Sequence, residues 1–225
     1  MKPCDLKSFH PGTLSPNHAG IIPDGTRRWA RINHVSLADA YMQAVVLLQK
    51  IVVSLLEEGI HEISIYLSSE QNFKRSREEV DAFCRAEAHF CDALLPGIAE
   101  SFGLKVVAVG NMEIVPGYLR DALEALTGMT ASKTAGRINL CAAYNPLEEV
   151  SHAAKHAVLL NGLQVKTPLD LVIRTGGAHL LSNFLPLQSG FARLYFLDKL
   201  FNELEVDDIR QIVSSFREIG RNYGE

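Results

Sequence analysis

Six short apolar runs alternate along the chain with longer amphipathic segments, and this alternation constrains the fold more than any other feature of the sequence. The short runs are rich in β-branched residues, whereas the longer segments carry apolar residues at helical spacing. Strands that alternate with helices predict a single α/β domain in which helices flank a six-stranded, mainly parallel sheet. The predicted strands are 19–22, 62–68, 104–110, 137–143, 169–175 and 192–197, and the predicted helices are 36–59, 76–97, 115–128, 146–160 and 206–220.

Length, charge and cysteine content narrow the class of protein. The 225 residues suffice for one domain with a sizeable core. A formal net charge of −4 gives no reason to expect a nucleic-acid partner. The four cysteines, Cys4, Cys84, Cys91 and Cys141, show no C-x-x-C spacing, so we expect reduced thiols in the cytoplasm rather than a zinc site or disulfides.

The first 17 residues differ in composition from the rest of the chain. They lack the apolar core of a signal peptide, and their prolines, glycine and serines predict a flexible extension over 1–17, ahead of a catalytic domain over 18–225. The longest apolar stretch, AVVLLQKIVVSLL, is interrupted by Gln49 and Lys50. It is too short to cross a bilayer, so no transmembrane segment is expected.

Parallel sheets bind ligands beyond the carboxyl ends of their strands, and three polar groups in this sequence follow predicted strands. The first is PDGTRRW, in which Gly25 follows a strand and opens a helix. Backbone N–H groups at such a turn bind anions, and Arg28 offers forked donors to phosphate oxygens. Asp24 beside them is suited to a magnesium ion that phosphates also bind. The alternative is that Asp24 caps a helix whose arginines are merely solvated.

The second and third groups carry further polar residues. In YLSSEQNFKRSREEV, Ser69, Asn72 and Arg75 recur at three-residue intervals and would share one face of a first helical turn. The alternative is a polar cap leading into the helix at Ser76. In DLVIRTGGAHLLSNF, Arg174 leaves a strand directly into a Gly-Gly pair, an arrangement that suits a diphosphate. The alternative there is a simple turn with an exposed arginine.

Taken together, these segments resemble the cis-prenyltransferases, the family of undecaprenyl diphosphate synthase. HAGIIPDGTRRWAR is similar to the signature H-x-x-x-I-x-D-G-N-x-R-W-A, and IYLSSEQNFKRSREEV to Y-A-F-S-x-E-N-W-x-R-x-x-x-E-V. DLVIRTGG followed by SNFL is similar to D-L-x-I-R-T-G-G-E-x-R-x-S-N-F-L, and INLCAAYNPLEEV to N-x-A-x-x-Y-G-G-R-x-E-I. The resemblance implies a cytoplasmic homodimer with the cis-prenyltransferase fold, a hydrophobic tunnel and a prenyl diphosphate substrate in isoprenoid biosynthesis.

The resemblance also assigns roles by matched position. It makes Asp24 the catalytic aspartate and the ligand of Mg²⁺, with Ser69 and Asn72 lining the reacting centre. It implies that Leu67 narrows the prenyl tunnel, for which Tyr41 and Phe73 are candidate aromatic walls. The residues that it implies for diphosphate binding are Gly25, Thr26, Arg27, Arg28 and Arg75 on the allylic side, and Arg174 and Ser182 for a second substrate.

Several positions depart from the family pattern. Leu180 stands where the family has an arginine for the second diphosphate, and Arg193 stands where it has a glutamate that binds magnesium across the dimer. A leucine cannot bind diphosphate, and an arginine cannot ligate a metal because it has donors and no acceptor. Arg193 would therefore either supply the missing guanidinium or turn to solvent, and the second site would hold little or no Mg²⁺. The further departures are Ala178, Leu37, Tyr41, the pair Asn145-Pro146, and Leu67 in place of a small alanine.

Three functions are compatible with this pattern. The first is a short-chain terpenoid enzyme of secondary metabolism that ionises one geranyl or farnesyl diphosphate and cyclises the carbocation. The second is an irregular, head-to-middle condensation of two prenyl diphosphates, because PDG-x-RRW, VSL-x-D-x-Y and IRTGGA followed by FLPLQS are similar to lavandulyl-type members such as cyclolavandulyl diphosphate synthase. The third is a non-catalytic subunit of a prenyltransferase, since inactive subunits of this family lack arginines of the active ones.

Overall fold

A computed structural model of the protein describes residues 15–155 and 162–218. Six strands form one sheet in the order β3-β4-β2-β1-β5-β6, and every neighbouring pair is parallel. The predicted α/β class and six-stranded sheet are therefore confirmed, with the sheet wholly rather than mainly parallel. The strands are β1 His18–Ile22, β2 Glu62–Tyr66, β3 Leu104–Val109, β4 Gly136–Cys141, β5 Leu171–Arg174 and β6 Arg193–Phe196.

Seven α-helices accompany the sheet within the described residues, and three short helical segments of other types lie between them. The 3₁₀ segments are Glu70–Lys74 and Phe201–Glu203, and a π-helical segment covers Phe90–Leu94. The α-helices are α1 Thr26–Ile32, α2 Leu37–Glu57, α3 Arg77–His89, α4 Leu95–Phe102, α5 Gly117–Thr130, α6 Pro146–Lys155 and α7 Val206–Glu218.

The prediction of a helix over 76–97 is wrong about where the helix ends. The chain passes from α3 through the π-helical segment into α4 and stays helical to Phe102, where Gly103 caps it with a φ of 64°. Pro96 lies in the first turn of α4, where a missing N–H costs nothing, so it does not end the helix. The parts of the predicted segments at 1–14, 156–160 and 219–220 lie outside the described residues.

Helix α2 is the central helix of the core. Ser36 caps it by accepting a hydrogen bond from the backbone N–H of Asp39. By length and composition alone it is the one described helix that is apolar enough to cross a membrane. Its side chains Leu48, Ile51 and Val52 are at most 2 % exposed, and the helix packs against α3 and α7. The same composition is expected of a helix buried in a folded core, so the test is weak evidence for a membrane span.

The parallel sheet brings the three polar groups to one edge. β1 lies between β2 and β5, and Ile22 pairs with Arg174 in the register of β1 and β5. Asp24 therefore leaves the carboxyl end of β1 beside Arg174, while Ser68 leaves the end of β2 on the other side. At the opposite end of β1, the backbone N–H of Asn17 donates to Asp170 Oδ2 at 2.7 Å, which anchors the entry into the sheet.

Candidate active site

A cleft of about 1330 Å³ opens over the carboxyl ends of β1, β2 and β5. Six arginine and lysine side chains line it, against two carboxylates. Because the whole chain carries a net charge of −4, this local excess of positive charge favours an anionic ligand at this place. The charged residues of the lining are Asp24, Arg27, Arg28, Arg31, Glu70, Lys74, Arg75 and Arg174.

An ion pair between Asp24 and Arg174 lies at the centre of the cleft. Arg174 Nη2 donates to Asp24 Oδ2 at 2.8 Å, and Arg28 Nη2 lies 3.6 Å from Asp24 Oδ1. The Arg174 side chain is only 7 % exposed, whereas that of Asp24 is 37 % exposed. The Nε of Arg174 is buried and has no hydrogen-bond partner in the described structure.

The backbone around Thr175 and Gly176 fixes this arrangement. The Thr175 hydroxyl donates to the Asp24 carbonyl at 2.7 Å and accepts from the Asp24 N–H at 2.9 Å. Arg28 Nη2 donates to the Gly176 carbonyl at 2.7 Å. A Cβ at Gly176 would collide with Arg28 Nη2 and lie 3.1 Å from the Asp24 carbonyl oxygen, and φ there is +85°. Glycine is therefore required for Arg28 and Asp24 to approach this turn.

Ser69, Asn72 and Arg75 all line the cleft, as their three-residue spacing predicts. They belong to the 3₁₀ segment Glu70–Lys74 and its flanks, in which side chains three apart are eclipsed. Asn72 Oδ1 accepts from the Ser69 N–H at 2.8 Å, so the asparagine also caps the segment. The predicted polar cap and the predicted shared face are thus both present.

Glu79 holds two of the arginines in place. Its Oε1 accepts from Arg75 Nη1 at 2.8 Å and lies 3.3 Å from Arg27 Nε. The Glu79 side chain is 12 % exposed, whereas that of Arg27 is 54 % exposed. The pairing orients both guanidinium groups beside the entrance of α1, whose N-terminal residue Thr26 follows Gly25 with its φ of 113°.

The loop after β5 forms the other half of the cleft. Arg174 Nη1 donates to the Leu180 carbonyl at 2.7 Å and to Ser182 Oγ at 2.8 Å. The Tyr66 hydroxyl, whose role the sequence reasoning missed, donates to the Ser182 carbonyl at 3.0 Å. Ser182 and Asn183 have φ values of 49° and 62°, a left-handed conformation that such contacts must hold in place. The Leu180 side chain, by contrast, is 53 % exposed.

The apolar part of the cleft is formed by Leu67, Tyr41 and Phe83. The Tyr41 and Phe83 rings meet edge to face with centroids 6.1 Å apart, and burial raises the pKa of Tyr41 to about 12. Phe73 does not belong to the cleft lining in the described structure and instead packs on Phe83, with ring centroids 5.4 Å apart. Phe73 therefore contacts the cleft wall through Phe83.

Within a single chain, Arg193 lies away from the arginines that line the cleft. It begins β6, and its Nη1 donates to the Phe216 carbonyl at 3.0 Å while its guanidinium lies 4.9 Å from the centre of the Phe216 ring. It is not part of the cleft lining formed by the described residues. The guanidinium missing at Leu180 is therefore not supplied by Arg193 of the same chain.

One buried acid near the cleft was not predicted. Glu87 on α3 is 4 % exposed, and Ser68 Oγ donates to its Oε2 at 3.5 Å. Burial raises the pKa of Glu87 to about 8, against a weaker opposing effect of the hydrogen bond from Ser68. The sequence offers one signal, a charged residue four positions after Phe83 on the apolar face of a helix.

The shifted pKa of Glu87 predicts how stability varies with pH. The folded protein binds the proton up to about pH 8, whereas the unfolded chain releases it near pH 4.5. The carboxyl group therefore stabilises the folded state fully below about pH 4.5. This stabilisation is lost progressively in the window from about pH 4.5 to about pH 8. Relative to Glu87→Gln, the wild type should lose roughly 1.4 kcal/mol of unfolding free energy per pH unit across this window. Urea titrations at pH 5, 6, 7 and 8 test this, and a difference that stays constant with pH would contradict it.

Comparisons with known proteins identify the family and the fold of the chain. The Prenyltransf family model, which describes undecaprenyl diphosphate synthases, matches residues 22–224. The chain belongs to the cis-prenyltransferase family. A tritrans,polycis-undecaprenyl-diphosphate synthase (geranylgeranyl-diphosphate specific) of Picrophilus torridus is 31 % identical over 230 residues, covering 93 % of this chain and 90 % of the relative. An isoprenyl transferase of Campylobacter jejuni is 29 % identical, covering 92 % of this chain and 97 % of the relative.

Two solved structures are similar to this cis-prenyltransferase along nearly their whole length. Lavandulyl diphosphate synthase from Lavandula x intermedia, in complex with dimethylallyl diphosphate, superposes with a TM-score of 0.86 at 28 % identity and covers 94 % of this chain and 99 % of its own. A probable undecaprenyl diphosphate synthase from Campylobacter jejuni superposes with a TM-score of 0.78 at 25 % identity, covering 93 % and 99 %. The predicted single-domain fold and the family resemblance are therefore confirmed.

In this cis-prenyltransferase, Asp24 could ligate a metal ion if a bound diphosphate supplied further ligands to the same ion. The described residues contain no cluster of three histidine, cysteine or acidic side chains. Asp24 offers carboxylate oxygens in the cleft, but two guanidinium groups already lie beside it. Mg²⁺ is commonly held by one or two carboxylates together with substrate phosphates, and Asp24 can take that part.

Proposed function

We propose that this chain binds a short allylic prenyl diphosphate in the cleft and ionises it. The observation that carries the proposal is that a charged surface and an apolar surface line the same cleft. Arg28, Arg174 and Asp24 form a charged end, and Leu67 and Tyr41 belong to an apolar wall of the same cleft. A diphosphate with a short hydrocarbon tail has the same division of chemistry, and six basic side chains at the charged end match its negative charge.

The reaction follows from where the charges lie. The allylic C–O bond breaks, its electron pair stays on the diphosphate oxygen, and the prenyl group becomes a carbocation. The guanidinium groups of Arg28, Arg75 and Arg174 stabilise the negative charge that grows on the departing group. Their positions are set before substrate arrives by the Gly176 carbonyl, by Glu79 and by Asp24. Such preorganised donors do not need to rearrange during the reaction.

Asp24 would hold Mg²⁺ jointly with the diphosphate, and the ion would add positive charge at the leaving group. Asp24 also holds the Arg174 guanidinium at 2.8 Å. Ser69 and Asn72 would contact the reacting carbon from the 3₁₀ segment, and Gly25 and Thr26 would offer backbone N–H groups to the diphosphate.

We propose cyclisation within one prenyl chain as the fate of the carbocation. The half of the cleft that would bind a second diphosphate has an exposed leucine at 180, and Arg174 is already engaged by Leu180, Ser182 and Asp24. The Tyr41 and Phe83 rings offer π-faces that stabilise a cation by cation–π attraction. A geranyl or farnesyl chain folded against them would react with its own double bond.

Irregular condensation of two prenyl diphosphates is the second candidate. It is favoured by the similarity to the structure of lavandulyl diphosphate synthase bound to dimethylallyl diphosphate. It requires that Arg174 and Ser182 bind a second diphosphate, so the terminal nitrogens of Arg174 would exchange their present acceptors for phosphate oxygens.

A homodimer is part of the proposal. Phe191, Leu187 and Leu194 are 82 %, 56 % and 43 % exposed near the outer strand β6. Exposed apolar residues grouped at a sheet edge favour association with a second copy. A non-catalytic subunit is the outcome if such a dimer neither binds nor converts prenyl diphosphates.

A substrate panel separates the candidates. The purified protein is incubated with dimethylallyl, geranyl and farnesyl diphosphates, singly and in pairs, with and without Mg²⁺, and the products are read by mass spectrometry. Cyclisation predicts turnover of geranyl or farnesyl diphosphate alone. Turnover only when a second prenyl diphosphate is present would favour condensation, and no turnover under any condition would contradict the enzymatic proposal.

A further inference from the structure

Glu87 is a buried acid for which the proposed ionisation has no use, although it lies beside the apolar wall of the cleft. Phe83, which lines the cleft, and Glu87 are four residues apart on α3 and therefore share a face of the helix. Burying a carboxyl group is costly unless it is well paired, and no ion pair to Glu87 exists among the described residues. The one hydrogen bond to its carboxylate in the described structure comes from Ser68, at the long distance of 3.5 Å.

The Ser68 hydroxyl connects Glu87 to the cleft. Ser68 lines the cleft, and its side chain accepts a hydrogen bond from the Ala143 N–H at 3.1 Å. A hydroxyl has one donor and two acceptor positions. The donor is directed to Glu87 and one acceptor position is taken by Ala143, so the second acceptor position is left for a group in the cleft.

Among residues 15–155 and 162–218, no basic side chain forms an ion pair with Glu87 that would neutralise it. Tyr41 faces it from α2, Ser68 from the end of β2, and the thiols of Cys84 and Cys91 from its own helical region. Burial raises the pKa values of the Tyr41 hydroxyl and of the Cys84 and Cys91 thiols, so all three groups are neutral at physiological pH. The ionised form of Glu87, which becomes populated as pH approaches about 8, is therefore the counter-charge for a positive charge that forms in the apolar part of the cleft.

We propose that Ser68 and Glu87 form a proton relay that ends the carbocation reaction by removing a proton from the prenyl cation. The C–H bond next to the cationic carbon breaks, and its electron pair forms a carbon–carbon double bond. The proton passes to Ser68 Oγ while the hydroxyl proton of Ser68 passes to the Glu87 carboxylate. The product is a neutral alkene and Glu87 becomes a carboxylic acid. The inference rests on the proposed ionisation and assigns the step that follows it.

The test measures two quantities on the whole enzyme with geranyl diphosphate: the rate of diphosphate release, and the ratio of alkene to water-captured alcohol products. In Glu87→Gln and in Ser68→Ala, diphosphate release should stay within about twofold of wild type, since ionisation is untouched. The alkene-to-alcohol ratio should fall by about a hundredfold, the effect typical of losing a positioned base. Glu62→Gln is the matched control, because Glu62 is also a buried acid, 8 % exposed, but lies at the other end of β2, away from the cleft.

A pH series adds a second readout. Because burial raises the pKa of Glu87 to about 8, the wild-type alkene-to-alcohol ratio should rise with pH and level off above about 8. Glu87→Gln should lack this rise. A ratio unchanged from wild type in either variant overturns the relay, and an equal loss of diphosphate release and alkene would place the pair in ionisation instead. A wild type that releases no diphosphate from any of the dimethylallyl, geranyl and farnesyl substrates, singly or in pairs, overturns the proposed function itself, which is a separate result.

Discussion

Replacing Asp24 with asparagine is expected to slow diphosphate release from geranyl diphosphate by a factor on the order of 10² to 10⁴. The amide cannot carry the negative charge that holds the Arg174 guanidinium at 2.8 Å, and it is a poor ligand for Mg²⁺. We expect the Mg²⁺ concentration needed for half-maximal rate to rise as well. The measurement is steady-state kinetics of diphosphate release at varied Mg²⁺.

The matched control for this variant is Asp92→Asn. Asp92 is exposed on the π-helical segment and does not line the cleft, so its rate should stay at the wild-type level. An Asp24→Asn enzyme that keeps a third or more of the wild-type rate would show that the carboxylate is a structural cap. That is the alternative that the sequence left open for PDGTRRW.

Replacing Arg174 with methionine is expected to affect both activity and stability. Methionine removes the donors to Asp24, the Leu180 carbonyl and Ser182, which hold the loop after β5. We expect diphosphate release to fall by about 10² to 10³, the range found when one preorganised donor is lost. Loss of hydrogen bonds from a buried charged group should lower the unfolding free energy by about 2 kcal/mol, because Asp24 remains partly hydrated.

Arg174→Lys and Arg85→Met complete the comparison. Lysine keeps the charge but lacks the fork that reaches three acceptors, so it should restore stability better than rate. Arg85 is exposed and pairs with Asp81 within one helix, so its loss should change neither quantity. Equal rates for Arg174→Met and Arg85→Met would contradict the assignment of Arg174 to the departing diphosphate.

The sequence predicts the sheet well because its central strands are buried. β1, β2 and β5 are buried at every residue, and such strands carry the apolar runs that a parallel sheet covered on both faces requires. Parallel topology then brings Asp24 and Arg174 together without any side-chain information, since Ile22 pairs with Arg174. The three-residue spacing of Ser69, Asn72 and Arg75 separately predicts a shared face on a first helical turn, and the structure forms that face on a 3₁₀ segment and its flanks.

Features that depend on packing between distant segments are not predictable in this way. The π-helical segment at Phe90–Leu94 keeps the chain helical past Pro96, and no local pattern marks it. The orientation of Arg193 depends on Phe216 of α7, which is far away in sequence. The Ser68–Glu87 contact joins the end of β2 to the third turn of α3, so periodicity places Glu87 on a buried face without indicating its partner.

The most direct test of the central claim compares geranyl diphosphate with its 2-fluoro analogue. Fluorine next to the cationic carbon withdraws electrons and disfavours ionisation, yet it barely changes the size of the substrate. The account predicts that the analogue binds with similar affinity in calorimetry but releases diphosphate on the order of a hundredfold more slowly, since about 2.7 kcal/mol of added barrier gives that factor. Equal rates of diphosphate release from the two substrates would contradict an ionisation reaction in this cleft.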